Sequence, residues 1–309
     1  MRRRILLSRK KGASIDINSF CTFRALEDDF SVTLSRSACE YCINGDGQWI
    51  PLPAGTATAA VAAGGTLSFR NATASPDTNS GIGKFSCTKS CDLLGTIYAL
   101  APLRDYGFKS LMQAVVGLKT VSQTFLLHPT ATNLPKYCFS NLFYQCTGLT
   151  LAPDIPFTNI GEKGCSYMFY GCSALTTAPA FSFEAVAKSA CSYMFARCSA
   201  LNYINSDSLP AETLAESCYE YMFESCSGLT KGPVLPAEKL VSNCYRRMWY
   251  LCSKLNEIHC YCSDTLSATY SDSWVMGVAS SGTFYQTLSY IATSTSARPN
   301  GWTSVKVTA

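Results

Sequence analysis

Charge is scarce in this chain. Asp, Glu, Lys and Arg make up 15% of its 309 residues, against ~25% in ordinary soluble domains. Histidine is scarcer still. His128 and His259 are the only two, so acid–base chemistry near neutral pH has few carriers. Neither stands in an HExxH, triad or Cys–His context, and no Walker A or GxGxxG motif is present. Acidic residues are scattered, with Glu27-Asp28-Asp29 their only run, so no clear motif holds paired glycosidase carboxylates. These absences argue against an enzyme, and no cofactor or metal is expected.

Long apolar runs are also missing. No stretch approaches the ~20 residues that span a bilayer, so membrane insertion is not expected. The N-terminus opens Met1-Arg2-Arg3-Arg4, yet its apolar part is only Ile5-Leu6-Leu7. A secretory segment needs roughly 7–15 such residues, so no signal peptide is expected and synthesis is placed in the cytoplasm. The net charge of +4 lies in this tail, which holds six basic residues in its first eleven. The other 298 residues carry 19 basic and 21 acidic groups, a net of −2. A nucleic-acid partner is therefore not expected beyond a weak role for the tail.

Cysteine is abundant instead, at seventeen, and hydrophobic residues reach 47%, enough for a sizeable core. Ten of the cysteines recur as pairs in C-F-S-N-L-F-Y-Q-C (138–146), C-S-Y-M-F-Y-G-C (165–172), C-S-Y-M-F-A-R-C (191–198), C-Y-E-Y-M-F-E-S-C (218–226) and C-Y-R-R-M-W-Y-L-C (244–252). The second cysteines step by 26, 26, 28 and 26, and Leu149, Leu175, Leu201, Leu229 and Leu255 each follow three positions later. A period near 26 falls in the 20–29 range of leucine-rich repeats. Leu214, Cys218, Met222 and Cys226 stand four apart and predict one stripe of a short helix. Pro210 lies upstream, where a helix tolerates it, and Ser227-Gly228 is a stop signal. A short strand follows each key Leu. Positions +3 and +5 are expected inside, and +2 and +4 outside. The +2 column, Leu151, Thr177, Tyr203, Lys231 and Glu257, varies as a ligand-facing column should, and these five are the candidate contact residues.

These units resemble the BspA-like leucine-rich repeat proteins of gut and oral bacteria. The nearest likeness is to the L-P-A-x-x-L-x-x-x-C-Y-x-x-M-F-x-x-C-x-x-L subgroup of gut bacteria and their phages. Residues 126–262 carry the likeness, with Leu142 for Met, Trp249 for Phe and F-S-F-E at 181–184 as departures. The resemblance implies surface display, adhesion or receptor binding, and no catalytic residues to carry over.

Helix geometry separates the paired cysteines by about 12 Å, too far for a disulfide. Columns of buried thiols filling the core are the expectation. Cys39, Cys42, Cys87 and Cys91 could together hold zinc, although C-E-Y-C lies in a strand-like alternation. Residues 20–90 alternate at period two between turn signals, which predicts a small β-sandwich.

The expected fold is thus a mixed α/β repeat protein. Residues 1–19 form a basic flexible tail and 20–90 a β-sandwich. Residues 91–135 are a linker and N-terminal cap, 136–262 hold five leucine-rich repeats, and 263–309 form a C-terminal β cap with Trp274 and Trp302 as buried anchors. The expected function is non-enzymatic recognition or adhesion. It would act as a phage-type tail or receptor-binding accessory protein on a virion or extracellular surface, binding a protein or glycan of a host cell. The alternatives are a virion or scaffold component that packs against other subunits or its own copies, and a lectin-like carbohydrate-binding module.

Overall fold

The structure is a computed structural model that describes residues 14–73, 81–264, 266–287 and 298–307. The run of arginines and lysines in the tail lies outside them. The N-terminal strands are β1 (Cys21–Ala25), β2 (Val32–Leu34), β3 (Cys39–Ile43), β4 (Ile50–Leu52), β5 (Thr66–Arg70), β6 (Phe85–Cys87), β7 (Cys91–Gly95) and β8 (Leu118–Val121). Six of them form one sheet in the order β4-β3-β5-β1-β7-β8, and β2 pairs with β6 as a separate ribbon. The sheet runs past residue 90, since β7 and β8 belong to it. Pairing is antiparallel as far as β7 and parallel from β7 to β8. That switch makes the sheet continuous with the repeats.

From β8 onward the chain winds as a β-solenoid of about 8 turns. Its strands are β9 (Asn133–Leu134), β10 (Asn159–Ile160), β11 (Thr177–Ala178), β12 (Ala185–Val186), β13 (Tyr203–Ile204), β14 (Glu257–Cys260), β15 (Thr283–Thr287) and β16 (Thr303–Val307). One parallel ladder runs through Thr120, Leu151, Thr177 and Tyr203, and a second through β9, β10, β12 and Thr213. The strands β14, β15 and β16 continue the solenoid, since they pair in parallel.

The expected helices are absent, and with them the α/β mixture. Helix among the described residues is confined to Ala268–Ser271 and the 3-10 turns Ile17–Ser19 and Ile97–Ala99. Each cysteine segment is instead a run of overlapping turns. Alternate N–H groups bond three residues back: Ser140 to Tyr137, Leu142 to Phe139, Tyr144 to Asn141. The others reach the next coil: Tyr137 to Glu162, Phe139 to Gly164, Asn141 to Ser166, Phe143 to Met168. Every fourth residue has a left-handed φ, for example Tyr137 (56°), Asn141 (55°) and Gln145 (54°), or Ser189 (52°), Tyr193 (57°) and Arg197 (62°). An L-residue held there costs roughly 1–2 kcal/mol. The N–H of each of these six donates to the adjacent coil, so the cost is offset only when coils stack. The backbone therefore repeats every four residues, not every 3.6. That is why a four-residue stripe looked helical.

The thiols complete this ribbon. All seventeen cysteines are free, and all but Cys87 are buried. Cys146, Cys172, Cys198, Cys226 and Cys252 donate Sγ–H to the carbonyls of Met112, Phe143, Phe169, Phe195 and Phe223 in the preceding coil, at 3.0–3.1 Å. A methyl of similar size could fill the space but not donate. Helix spacing plays no part in keeping these thiols apart, because the coils are hydrogen-bonded directly to one another.

Candidate functional site

The five contact residues expected from the sequence stand in two runs of parallel pairing, Leu151–Thr177–Tyr203 and Lys231–Glu257. Leu151 pairs with Thr120 and Thr177, Thr177 with Tyr203, Lys231 with Glu257, and Glu257 with Thr283. Leu151 and Tyr203 are 45% and 59% exposed, large apolar surface in a column that the core does not use. Lys231 is exposed, and Thr177 and Glu257 are half-buried.

Three of the five +4 positions depart from the expected outward direction, while Asn205 is exposed and His259 is half-buried. Pro153, Pro179 and Pro233 are buried beside Ala152, Ala178 and Gly232. Proline has no N–H for the ladder, so the strand ends there and the chain turns inward. β11 accordingly has two residues, whereas β14, with His259 in place of the proline, has four and alternates inside and outside.

Side-chain chemistry concentrates at the C-terminal end of this face. Glu257 Oε1 lies 2.8 Å from Lys231 Nζ and 2.8 Å from His259 Nε2. His259 stacks on Tyr285, with centroids 4.1 Å apart, and its Nδ1 lies 3.3 Å from the Tyr261 hydroxyl. Hydrogen bonds from Lys231 and His259 hold the Glu257 carboxyl below its ordinary range, and the bond to Glu257 raises the Lys231 ammonium.

The ladder is interrupted between Tyr203 and Lys231 and resumes where Ser208 pairs with Val234. The coil that ends at Cys226 is two residues longer than its neighbours, and the slack opens a groove of about 310 Å³ lined by Tyr203, Asp207 and Lys231.

The turn ribbon carries a second surface that the sequence reading passed over. Tyr167, Tyr193 and Tyr221 stack with centroids 4.5 and 4.3 Å apart, Tyr144 stacks on Tyr170 at 4.9 Å, and Tyr106 on Tyr137 at 4.6 Å. These tyrosines were visible as the recurring C-S-Y-M-F and C-Y-E-Y-M-F. Reading the segment as a helix directed attention to its Cys and Met stripe alone.

Three of the remaining cysteines, all in the N-terminal sheets, make side-chain contacts. Cys42 Sγ donates to Asp46 Oδ1 at 3.3 Å, and Cys87 and Cys91 bring their sulfurs to 4.0 Å. Among the described residues no three His, Cys, Asp or Glu side chains gather as a metal site would require. Trp274 and Trp302 are buried. No described helix is long and apolar enough to cross a membrane. No known family model, curated protein or solved structure matches this chain.

Proposed function

We propose that the chain is a non-enzymatic recognition protein that binds a host cell-surface protein or glycan through the strand face of its solenoid. It serves as an accessory of a phage-type tail or of a displayed bacterial surface assembly. The observation that supports this reading is the pair of in-register runs Leu151–Thr177–Tyr203 and Lys231–Glu257 on one face, with large apolar side chains exposed at Leu151 and Tyr203. Exposed aromatic and aliphatic groups beside charged ones are the composition of interface anchors. The likeness of the repeats to BspA-like proteins points the same way, and the scarcity of acid–base groups favours binding over catalysis.

Labelled protein applied to a panel of gut bacterial cells tests the proposal. A strain that binds it should lose at least tenfold in affinity with the Tyr203→Ala, Lys231→Glu double variant. Unchanged binding would make this column the wrong face. Recovery of the chain only as a stoichiometric subunit of a particle, with this face covered, would favour the scaffold role instead.

A further inference from the structure

The turn ribbon holds an open groove of about 600 Å³. Tyr137, Tyr144, Tyr167 and Tyr193 form its walls. Its floor is a register of buried serines, Ser140, Ser166 and Ser192, with Ser166 Oγ 3.0 Å from Ser192 Oγ. The groove arises from an offset between tyrosine columns. The stacked run Tyr221–Tyr193–Tyr167 ends at Tyr167. At the equivalent place in the preceding coil stands Asn141, whose amide donates to Ser140 Oγ at 3.2 Å. Asn141 is too small to cover a phenol ring. The Tyr106–Tyr137 stack lies in a different column and stops one coil earlier, because Lys163 follows it. The column of Tyr167 is thus left without a ring at Asn141, a place flanked in its own coil by Tyr137 and Tyr144 and floored by hydroxyls.

We propose that this groove is a binding site for a neutral oligosaccharide, with one sugar ring continuing the interrupted stack against Tyr167. A sugar ring pairs an apolar C–H face with a rim of hydroxyls. An aromatic plane beside serine, asparagine and phenol groups matches both parts, in a cleft of the size that ligand sites have. Charge selects against the other ligands that stack on aromatic rings. Single-stranded nucleic acid needs a cationic track along its backbone, whereas the groove has Lys109, Lys163 and the opposing Glu220. The site lies on the turn ribbon rather than on the strand ladder, so it stands or falls apart from the strand-face reading.

Calorimetric titration of the full chain with linear hexasaccharides of glucose, mannose, galactose and N-acetylglucosamine tests it. One series should bind with a Kd below about 1 mM. Tyr167→Ala should weaken that binding at least tenfold, Tyr167→Phe should keep most of it, and Tyr203→Ala should leave it unchanged. Circular dichroism and the thermal midpoint of Tyr167→Ala confirm that its fold persists. No binding by any of the four series at about 10 mM, equal binding by Tyr167→Ala, or preferential binding of oligo(dT) would each overturn the proposal.

Discussion

In the N-terminal sheet Phe23 meets Phe69 at 86° and Phe85 at 67°. In the coils Phe143, Phe169, Phe195 and Phe223 form a column whose successive rings lie within 9° of parallel, 5.3–5.6 Å apart. Both regions bury rings completely, so the difference lies in symmetry. An antiparallel sheet brings unlike neighbours together, and rings find edge-to-face contacts. A solenoid translates each residue onto its equivalent, and like stacks on like. The same rule makes hydrogen-bonded thiols, left-handed residues and half-buried tyrosines recur coil after coil. Each coil then depends chiefly on its two neighbours, while the sheet is held by pairs far apart in sequence, such as Arg24 with Asp92.

The largest expected difference between the regions is in alkali. Burial pushes the Cys146, Cys198 and Cys252 thiols up to about 12, and it raises the other seven paired cysteines of the repeats as well. The unfolded chain loses these protons near pH 8.5, while the folded coils keep theirs. Stability from this source is full below about pH 8.5 and falls as pH rises, by about 1.4 kcal/mol per pH unit for each thiol. Ten thiols acting together should open the coils steeply between about pH 9 and 10. Amides of residues 137–252 should lose exchange protection before those of β1 and β5. Simultaneous loss would mean that the β7–β8 junction makes one cooperative unit of both. Thiol titration of the unfolded protein should count close to seventeen, and four or more disulfides would remove the basis of this prediction.

A smaller effect is expected within one coil. Gly232 lies beneath Trp249, and a Cβ there would come within 2.9 Å of the indole ring. Gly232→Ala should destabilise by about 1–3 kcal/mol through overpacking. Adding Trp249→Phe should recover most of that, a coupling that a double-mutant cycle on denaturation midpoints would read. The penalty belongs to this coil, because the equivalent positions Ala152 and Ala178 already carry a Cβ and are buried. Without coupling, Gly232 would answer to the chain turn at Pro233 rather than to the indole.

The two regions also differed in how far their sequence could be read. In the N-terminal sheet, period-two alternation marks Phe30, Val32, Leu34, Tyr41, Leu67 and Phe69, which are buried, and Ile43, which is half-buried, because a strand's period is fixed by its pleat. In the coils the repeat length and the buried cysteines were legible, and so was the alignment of Leu151, Thr177 and Tyr203. The turn ribbon was not, since a four-residue backbone period and a 3.6-residue helix give nearly the same pattern over eight residues. Coils whose cysteines are replaced also escaped notice. Val115 and Val278 stand where Cys146 and Cys252 close their turn runs, without the sulfur that made the pattern visible.

The smallest effect sets one surface carboxylate of each region against the other. Glu257 joins two coils through Lys231, and Glu40 joins adjacent strands of the sheet through Arg70 at 2.9 Å. Both carboxyls titrate below their ordinary range, Glu257 because of Lys231 and then His259, Glu40 because of Asn71 and then Arg70. A depressed folded value means that the contribution is full above about pH 4.3 and is lost as pH falls through the folded titration. Half-exposed pairs are screened, so Glu257→Gln should cost under about 1 kcal/mol at neutral pH and nothing at pH 2. The two substitutions separate in what they loosen. Glu257→Gln should raise exchange at Asn256 and Gly232, whose N–H groups bond across the neighbouring coils. Glu40→Gln should act only on β3 and β5. Because a coil has two neighbours and a strand in the sheet is tied into a wider network, the first effect should spread to β15 while the second stays local. Equal spread from both would erase the distinction between stacked and interleaved packing that the rings display.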